Sequence, residues 1–234
     1  MKLDRLIAGY EAMGRQAAHL AIAARRVRVD GVCVTDSHHP VDRFTLVELD
    51  DAVVQASERA LYLMLHKPVG ILSATKDDQH RTVVDLIDDP DKHTLHIAGR
   101  LDRSTSGLVL LTNDGRWSKR LMTAEEKVPK VYLVETLDSI SPDAVEAFAR
   151  GFYFHTEDIT TLPAELVLLG GNQARLTLHE GRYHQVKRMF HRVGNRVINL
   201  HRESIGTLTL PADLPPGAWR ALAPQEVLTA AGDG

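Results

Sequence analysis

GRLDRSTSGLVLLTNDG, Gly99 to Gly115, sets Asp102 between Arg100 and Arg103, follows it with three hydroxyl residues and Gly107, and then runs apolar from Leu108 to Leu111. The apolar run reads as a buried strand ending in an Asn113-Asp114-Gly115 turn, so the acid stands at the lip of a sheet. Two readings of Asp102 are open. It is a turn residue satisfying loop amides, paired at the surface with Arg100 or Arg103. Or it is a carboxylate kept ionised by cationic neighbours and able to act as nucleophile or base. Nothing local decides between them.

Outward from this strand, the segment from Leu61 is rich in strands. LYLMLHKP reads as a buried strand stopped by Pro68-Val69-Gly70, and KVYLVETL as another. Ser141-Pro142 opens a helix that Gly151 closes. LPAELVLL and NQARLTLHE pair around Gly170-Gly171, with Ala174, Leu176 and Leu178 alternating against Arg175, Thr177 and His179. Strands arriving in pairs, with few crossover helices, predict an α+β fold with a mixed, mainly antiparallel sheet.

The first 48 residues have a different texture. Leu3, Leu6 and Ile7 have helical spacing, and Ala17, Leu20, Ala21 and Ala24 predict a second helix ending near Arg25, Arg26 and Arg28. VRVDGVCV then reads as a hairpin around Asp30-Gly31. DDAVVQASER is polar and without clear period, which predicts a linker. The expected boundaries are a module over 1–48, a linker over 49–59 and a larger domain over 60–234.

Composition narrows the classes. A chain of 234 residues holds a substantial core without staples, and the lone Cys33 excludes an internal disulfide and a multi-cysteine zinc site. Cys33 is expected to pack on its hairpin strand rather than act as a nucleophile. The charged N-terminal stretch is unlike a signal peptide, and no apolar run reaches membrane-spanning length, so a soluble, cytoplasmic protein is expected. The net charge of −3 gives no global sign of a nucleic-acid binder, but the cations are concentrated at Arg25–Arg28 and between Arg182 and Arg202.

GRYHQVKRMFHRVG projects as an amphipathic helix, with Val186, Met189, Phe190 and Val193 on one arc. His184, Lys187, Arg188, His191 and Arg192 lie opposite, without the acids that normally intersperse such a stripe. A polyanion or a buried carboxylate would relieve that repulsion. Neither His184 with His191 nor His93 with His96 has a further ligand at metal-site spacing. Walker-type, G-x-G-x-x-G and G-x-S-x-G patterns are missing. Tyr132, alternating with Val131 and Leu133, is a half-buried strand residue or, in a nucleic-acid enzyme, a surface for an extruded base.

Taken together, GRLDRSTSGLVLLTNDG, KPVG, KVYLV, EGRYHQVKRMF and LHRESIG resemble, in order, the signatures of the RsuA/Rlu branch of pseudouridine synthases. The likeness runs from about Leu61 to the C-terminus, and residues 1–48 resemble the S4-like α/β RNA-binding module that many of these enzymes carry. The resemblance implies a pseudouridine synthase catalytic domain over 60–234. It also implies isomerisation of uridine in ribosomal RNA by base flipping, with neither metal nor redox cofactor. Asp102 falls on the family's catalytic aspartate, Tyr132 on the tyrosine against the target base, Lys187 on the aspartate's basic partner and Leu200 on an apolar pocket residue. Many relatives carry arginine at the position of Lys187, and a lysine cannot make the two-pronged bond; Arg188 is the substitute. Arg100, Arg188 and Leu200 are expected to bind substrate, and Arg25, Arg26 and Arg28 to contact phosphates. Within the branch, the likeness is greatest to enzymes of small-subunit (16S) rRNA. The alternatives are a large-subunit (23S) enzyme or a non-catalytic rRNA-binding or assembly protein. The expected partner is rRNA, free or in an assembling small-subunit ribonucleoprotein, met by a monomer.

Overall fold

A computed structural model of the chain describes residues 1–122 and 128–230. It divides into two compact units, Met1–Ala60 and Leu61–Gly234.

In the first unit, helices α1 (Leu3–Gly9) and α2 (Arg15–Ala23) precede a four-stranded sheet. The second helix forms as expected but buries a different face: Ala18, Ala21 and Ile22 are inside, while Leu20 is 65% exposed. Alanines fit either face and do not set the phase, so the branched Ile22 decides it. Strands β1 (Val27–Val29) and β2 (Val32–Cys33) form the expected hairpin, with positive φ at Asp30 and Gly31 as a two-residue turn requires. Cys33 is exposed rather than packed. The expected linker is partly structured, because β3 (Val47–Leu49) turns through Asp50-Asp51, both at positive φ, into β4 (Ala52–Gln55). The two aspartates are a hairpin turn, and Ala52-Val53-Val54 is the strand that follows.

In the second unit, chain order runs β5 (Tyr62–Lys67), β6 (His96–Ala98), β7 (Ser106–Thr112), α3 (Gly115–Met122), β8 (Lys130–Thr136) and α4 (Asp143–Arg150). A small hairpin of β9 (Tyr153–Phe154) and β10 (Ile159–Thr160) follows, then β11 (Glu165–Gly170), β12 (Gln173–Leu178) and α5 (Gln185–Arg192). The last elements are β13 (Val197–Ile205), β14 (Leu208–Thr209), β15 (Trp219–Ala221) and α6 (Pro224–Ala230). The described residues form one mixed sheet in the order β11-β12-β8-β13-β7-β5-β15, with β14 on β13 and β6 on β7. Its pairs are antiparallel except β13 with β7.

Both faces of this sheet are covered, which explains why Leu108–Leu111 is continuously apolar rather than alternating. Val109 and Leu111 pack in one core with Phe148 of α4 and Met189 and Phe190 of α5; Leu108 and Leu110 pack in a second with Trp117 and Leu121 of α3. The Asn113-Asp114-Gly115 turn does more than end β7. Asp114 Oδ1 accepts the amides of Arg116 and Trp117, so the acid caps α3. Among the described residues no helix is long and apolar enough to cross a membrane.

Candidate active site

One row across three strands builds the floor of the site. In register, Lys67 of β5 lies opposite Gly107 of β7, and Gly107 lies opposite Arg202 of β13. Lys67 and Arg202 are both fully buried. Gly107 has φ +113, and a Cβ there would sit 2.3 Å from the Arg202 carbonyl oxygen. Only glycine admits this close parallel approach.

The two buried cations hold the loop that carries Asp102. The Arg202 guanidinium donates to the carbonyls of Leu108 (2.8 Å), Gly99 (2.8 Å) and Arg100 (3.4 Å), joining both ends of the loop. The Lys67 ammonium donates to the carbonyls of Thr105 (2.8 Å), Pro68 (3.0 Å) and Arg103 (3.5 Å). Ser73 Oγ closes the middle, donating to the Leu101 carbonyl at 2.7 Å and accepting its amide at 3.0 Å. Burial pulls the Lys67 ammonium down to about 8, against the opposing attraction of Asp102. Nothing in the local sequence marks these partners, although Lys67 stands in KPVG and Arg202 in LHRESIG.

Helix α5 closes the other side. Its buried face is Val186, Met189 and Phe190, as its periodicity predicts, joined by Gln185. Its cationic stripe meets acids supplied from elsewhere. Lys187 Nζ lies 3.1 Å from Asp102 Oδ2 and donates to Ser104 Oγ at 2.7 Å, while His184 Nε2 lies 3.5 Å from Asp102 Oδ1. Arg188 does not reach Asp102. Its guanidinium forks onto Glu157 (2.8 and 2.7 Å) and covers the Phe154 ring at 3.6 Å, so the expected substitute partner is a tie to the β9–β10 hairpin. That fork holds the Glu157 carboxyl down at about 2.

Asp102, His184, Lys187 and Arg202 line a cavity of about 750 Å3 in the second unit, whereas Arg188, expected to bind substrate, is not among its lining residues. Tyr132 and Leu200 add aromatic and aliphatic surface to its lining, and Lys130 lines it as well. Tyr132 alternates inward on β8 and sits across from Arg202, whose Cζ lies 6.0 Å from its ring centre. Leu200 shares the inward face of β13 with Arg202. Burial lowers the Lys130 ammonium from its ordinary value. Arg100 is exposed at the mouth, and Arg103 donates to the Gly70 carbonyl. The chemistry available is that of a positioned carboxylate beside two basic side chains, facing an aromatic and aliphatic wall suited to a planar ring.

The N-terminal arginines lie in the first unit. Arg26 forks onto Asp50, and Arg28 pairs with Asp51 at 3.0 Å. Arg25 has no ion-pair partner among the described residues. Among those residues no three His, Cys, Asp or Glu gather as a metal site, and His96 instead hydrogen-bonds Ser118.

The family described as RNA pseudouridylate synthase matches residues 61–192. The chain is 52% identical over 227 residues to the ribosomal small subunit pseudouridine synthase A of Pseudomonas aeruginosa, covering 97% of this chain and 99% of that one. It is 43% identical to the protein of the same name from Escherichia coli K12, covering 97% and 98%. Among solved structures it is similar to a crystal structure of a pseudouridylate synthase, with a TM-score of 0.71 and 36% identity over 98% of this chain and 99% of that one.

Proposed function

The chain belongs to the RNA pseudouridylate synthase family, and from that premise we propose that it isomerises a uridine of small-subunit (16S) ribosomal RNA to pseudouridine. The single observation carrying the reading is the Asp102–Lys187 contact at 3.1 Å on the wall of a cavity faced by Tyr132.

The reaction breaks the bond from ribose C1′ to uracil N1 and makes one from C1′ to C5. The C5 hydrogen leaves as a proton, and the nitrogen freed from the sugar gains one. Atoms and electrons balance without an oxidant or a second substrate. In this reading the uridine is flipped out of its stack into the cavity, where Tyr132 and Leu200 hold the base. Asp102, oriented by Lys187, which Ser104 in turn holds, initiates cleavage of the glycosidic bond. The base then turns within the pocket and rejoins through C5. Arg202 and Lys67 keep the Asp102 loop from yielding as the base turns, which is the preorganisation that such a step needs.

The proposal extends to the first unit as an S4-like RNA-binding module. It further takes the protein to work as a cytoplasmic monomer on rRNA, free or in an assembling small-subunit particle.

Mapping pseudouridine in rRNA from cells with and without the gene tests the reading: one small-subunit site is expected to disappear. Loss of a large-subunit site instead, or of none, overturns it. The catalytic assignment has its own test, because Asp102→Asn is expected to abolish pseudouridine formation while RNA affinity stays within a few-fold. Wild-type turnover by that variant sinks the assignment.

A further inference from the structure

Tyr183 is 75% exposed, beside the cavity it lines. Its ring stacks on His184, with centres 3.9 Å apart and planes 18° from parallel. His184 in turn is the residue 3.5 Å from Asp102. The other largely exposed tyrosine, Tyr153, packs edge-on against His155 and donates its hydroxyl to Asp158. The Tyr183 hydroxyl has no partner among the described residues.

This exposure is not that of a loose loop. The buried Glu180 carboxylate accepts from the Leu162 amide, from Gln185 Nε2 at 2.8 Å and from Arg182 Nε at 2.9 Å. Gln185 Oε1 accepts the Arg182 amide, and the Tyr183 carbonyl accepts from Arg188, itself forked onto Glu157. His184 adopts the left-handed conformation (φ 49, ψ 30), which turns the chain into α5 and leaves its ring between Tyr183 and Asp102. The chain on both sides of this large aromatic ring is therefore tied by hydrogen bonds, and the exposed ring is backed by imidazole.

Resting on the RNA-modifying reading above, we propose that Tyr183, backed by His184, is a stacking platform for the nucleobase next to the target uridine. A uridine entering beside Asp102 passes His184, so the neighbouring nucleotide, one covalent step away, reaches the lip where Tyr183 lies. Flipping breaks that neighbour's stack on the uridine, and a fixed aromatic face replaces it. Stacking is tolerant of base identity, so the platform recognises that a neighbouring base is present rather than which base it is.

The test compares wild type with Tyr183→Ala and Tyr183→Phe, measuring binding by fluorescence anisotropy and turnover separately on small-subunit rRNA fragments. Tyr183→Ala is expected to weaken binding about 5- to 150-fold, the range for loss of one base–aromatic stack, with kcat changed less than KM. Tyr183→Phe is expected to restore binding. On an RNA with an abasic nucleotide on the correct side of the target, wild type and Tyr183→Ala are expected to bind alike. Equal binding of wild type and Tyr183→Ala to intact RNA overturns the platform, as does a penalty undiminished by abasic substitution on either side. Binding reports on the platform without turnover. A wild type that shows the Tyr183 contribution but converts no uridine therefore overturns the activity and supports the platform.

Discussion

Lys187 and Asp102, 85 residues apart in the chain, meet at 3.1 Å, and the same ammonium donates to Ser104 Oγ at 2.7 Å. One cation thus orients the carboxylate and steadies its loop. Lys187→Met is expected to lower kcat/KM about 10- to 150-fold, the usual worth of a hydrogen bond to a charged group. Lys187→Arg should recover part of the loss, since a guanidinium reaches the same carboxylate. Single-turnover rates on rRNA check this, and an unchanged rate in Lys187→Met sinks the pairing as functional.

Arg202 and Gly107 act as one device, with the guanidinium holding three loop carbonyls and the glycine letting β13 approach. Arg202→Met leaves buried carbonyls without donors and is expected to cost about 3 kcal/mol or more. Gly107→Ala, strained at φ +113 and meeting backbone at 2.3 Å, is expected to cost more than about 1 kcal/mol. Urea denaturation measures both. Loss below 0.5 kcal/mol in either, roughly the level of an ordinary surface change, would show the loop to be held by other contacts.

Lys67 carries a pH signature. Its folded-state value is about 8 against an ordinary 10.5, chiefly because it is buried. Between those values the unfolded chain keeps a proton that the folded chain has released, so this group makes stability rise with pH across that window. Below about pH 8 the ammonium is charged in both states and its contribution is flat. The wild-type stability minus that of Lys67→Met should therefore climb from pH 8 to pH 10. A flat difference across the window contradicts the assignment.

In the first unit, Arg26 and Arg28 already face Asp50 and Asp51, whereas Arg25 has no such partner among the described residues. If this edge contacts phosphate, Arg25→Ala should flatten the salt dependence of RNA binding by about 0.7 to 0.9 in log–log slope. Arg26→Ala should change it less, because releasing Asp50 offsets the lost cation. Equal slopes for wild type and Arg25→Ala would leave the knot a solvated edge.

Much of the fold was legible because it depends on local pattern. The apolar run at Leu108–Leu111, the alternation through Tyr132 and Leu176, and the Asp30-Gly31 hairpin are each decided within a few residues. Local pattern failed where short-range signals are degenerate. The alanines of α2 fit two faces, Asp50-Asp51 reads equally as linker or turn, and Asn113-Asp114-Gly115 reads equally as a stop or a helix cap.

The candidate site divides along the same line. By itself the sequence singled out, through the family resemblance, the candidates to carry chemistry, namely Asp102 at a strand lip, Tyr132 on an alternating strand and Lys187 on a cationic helix face. It also determined the strand and helix on which the last two ride. Which cation serves the acid was decided only by tertiary structure. Arg188 is adjacent to Lys187 but about 100° around the helix, and so reaches Glu157. Arg100 and Arg103, the sequence neighbours of Asp102, make neither of its ion pairs, which run to Lys187 and His184. The loop beneath is tied by Lys67 and Arg202 through backbone carbonyls, and carbonyls are alike at every position of a chain. Only strand register, set by the whole sheet, determines which of them those two buried cations meet.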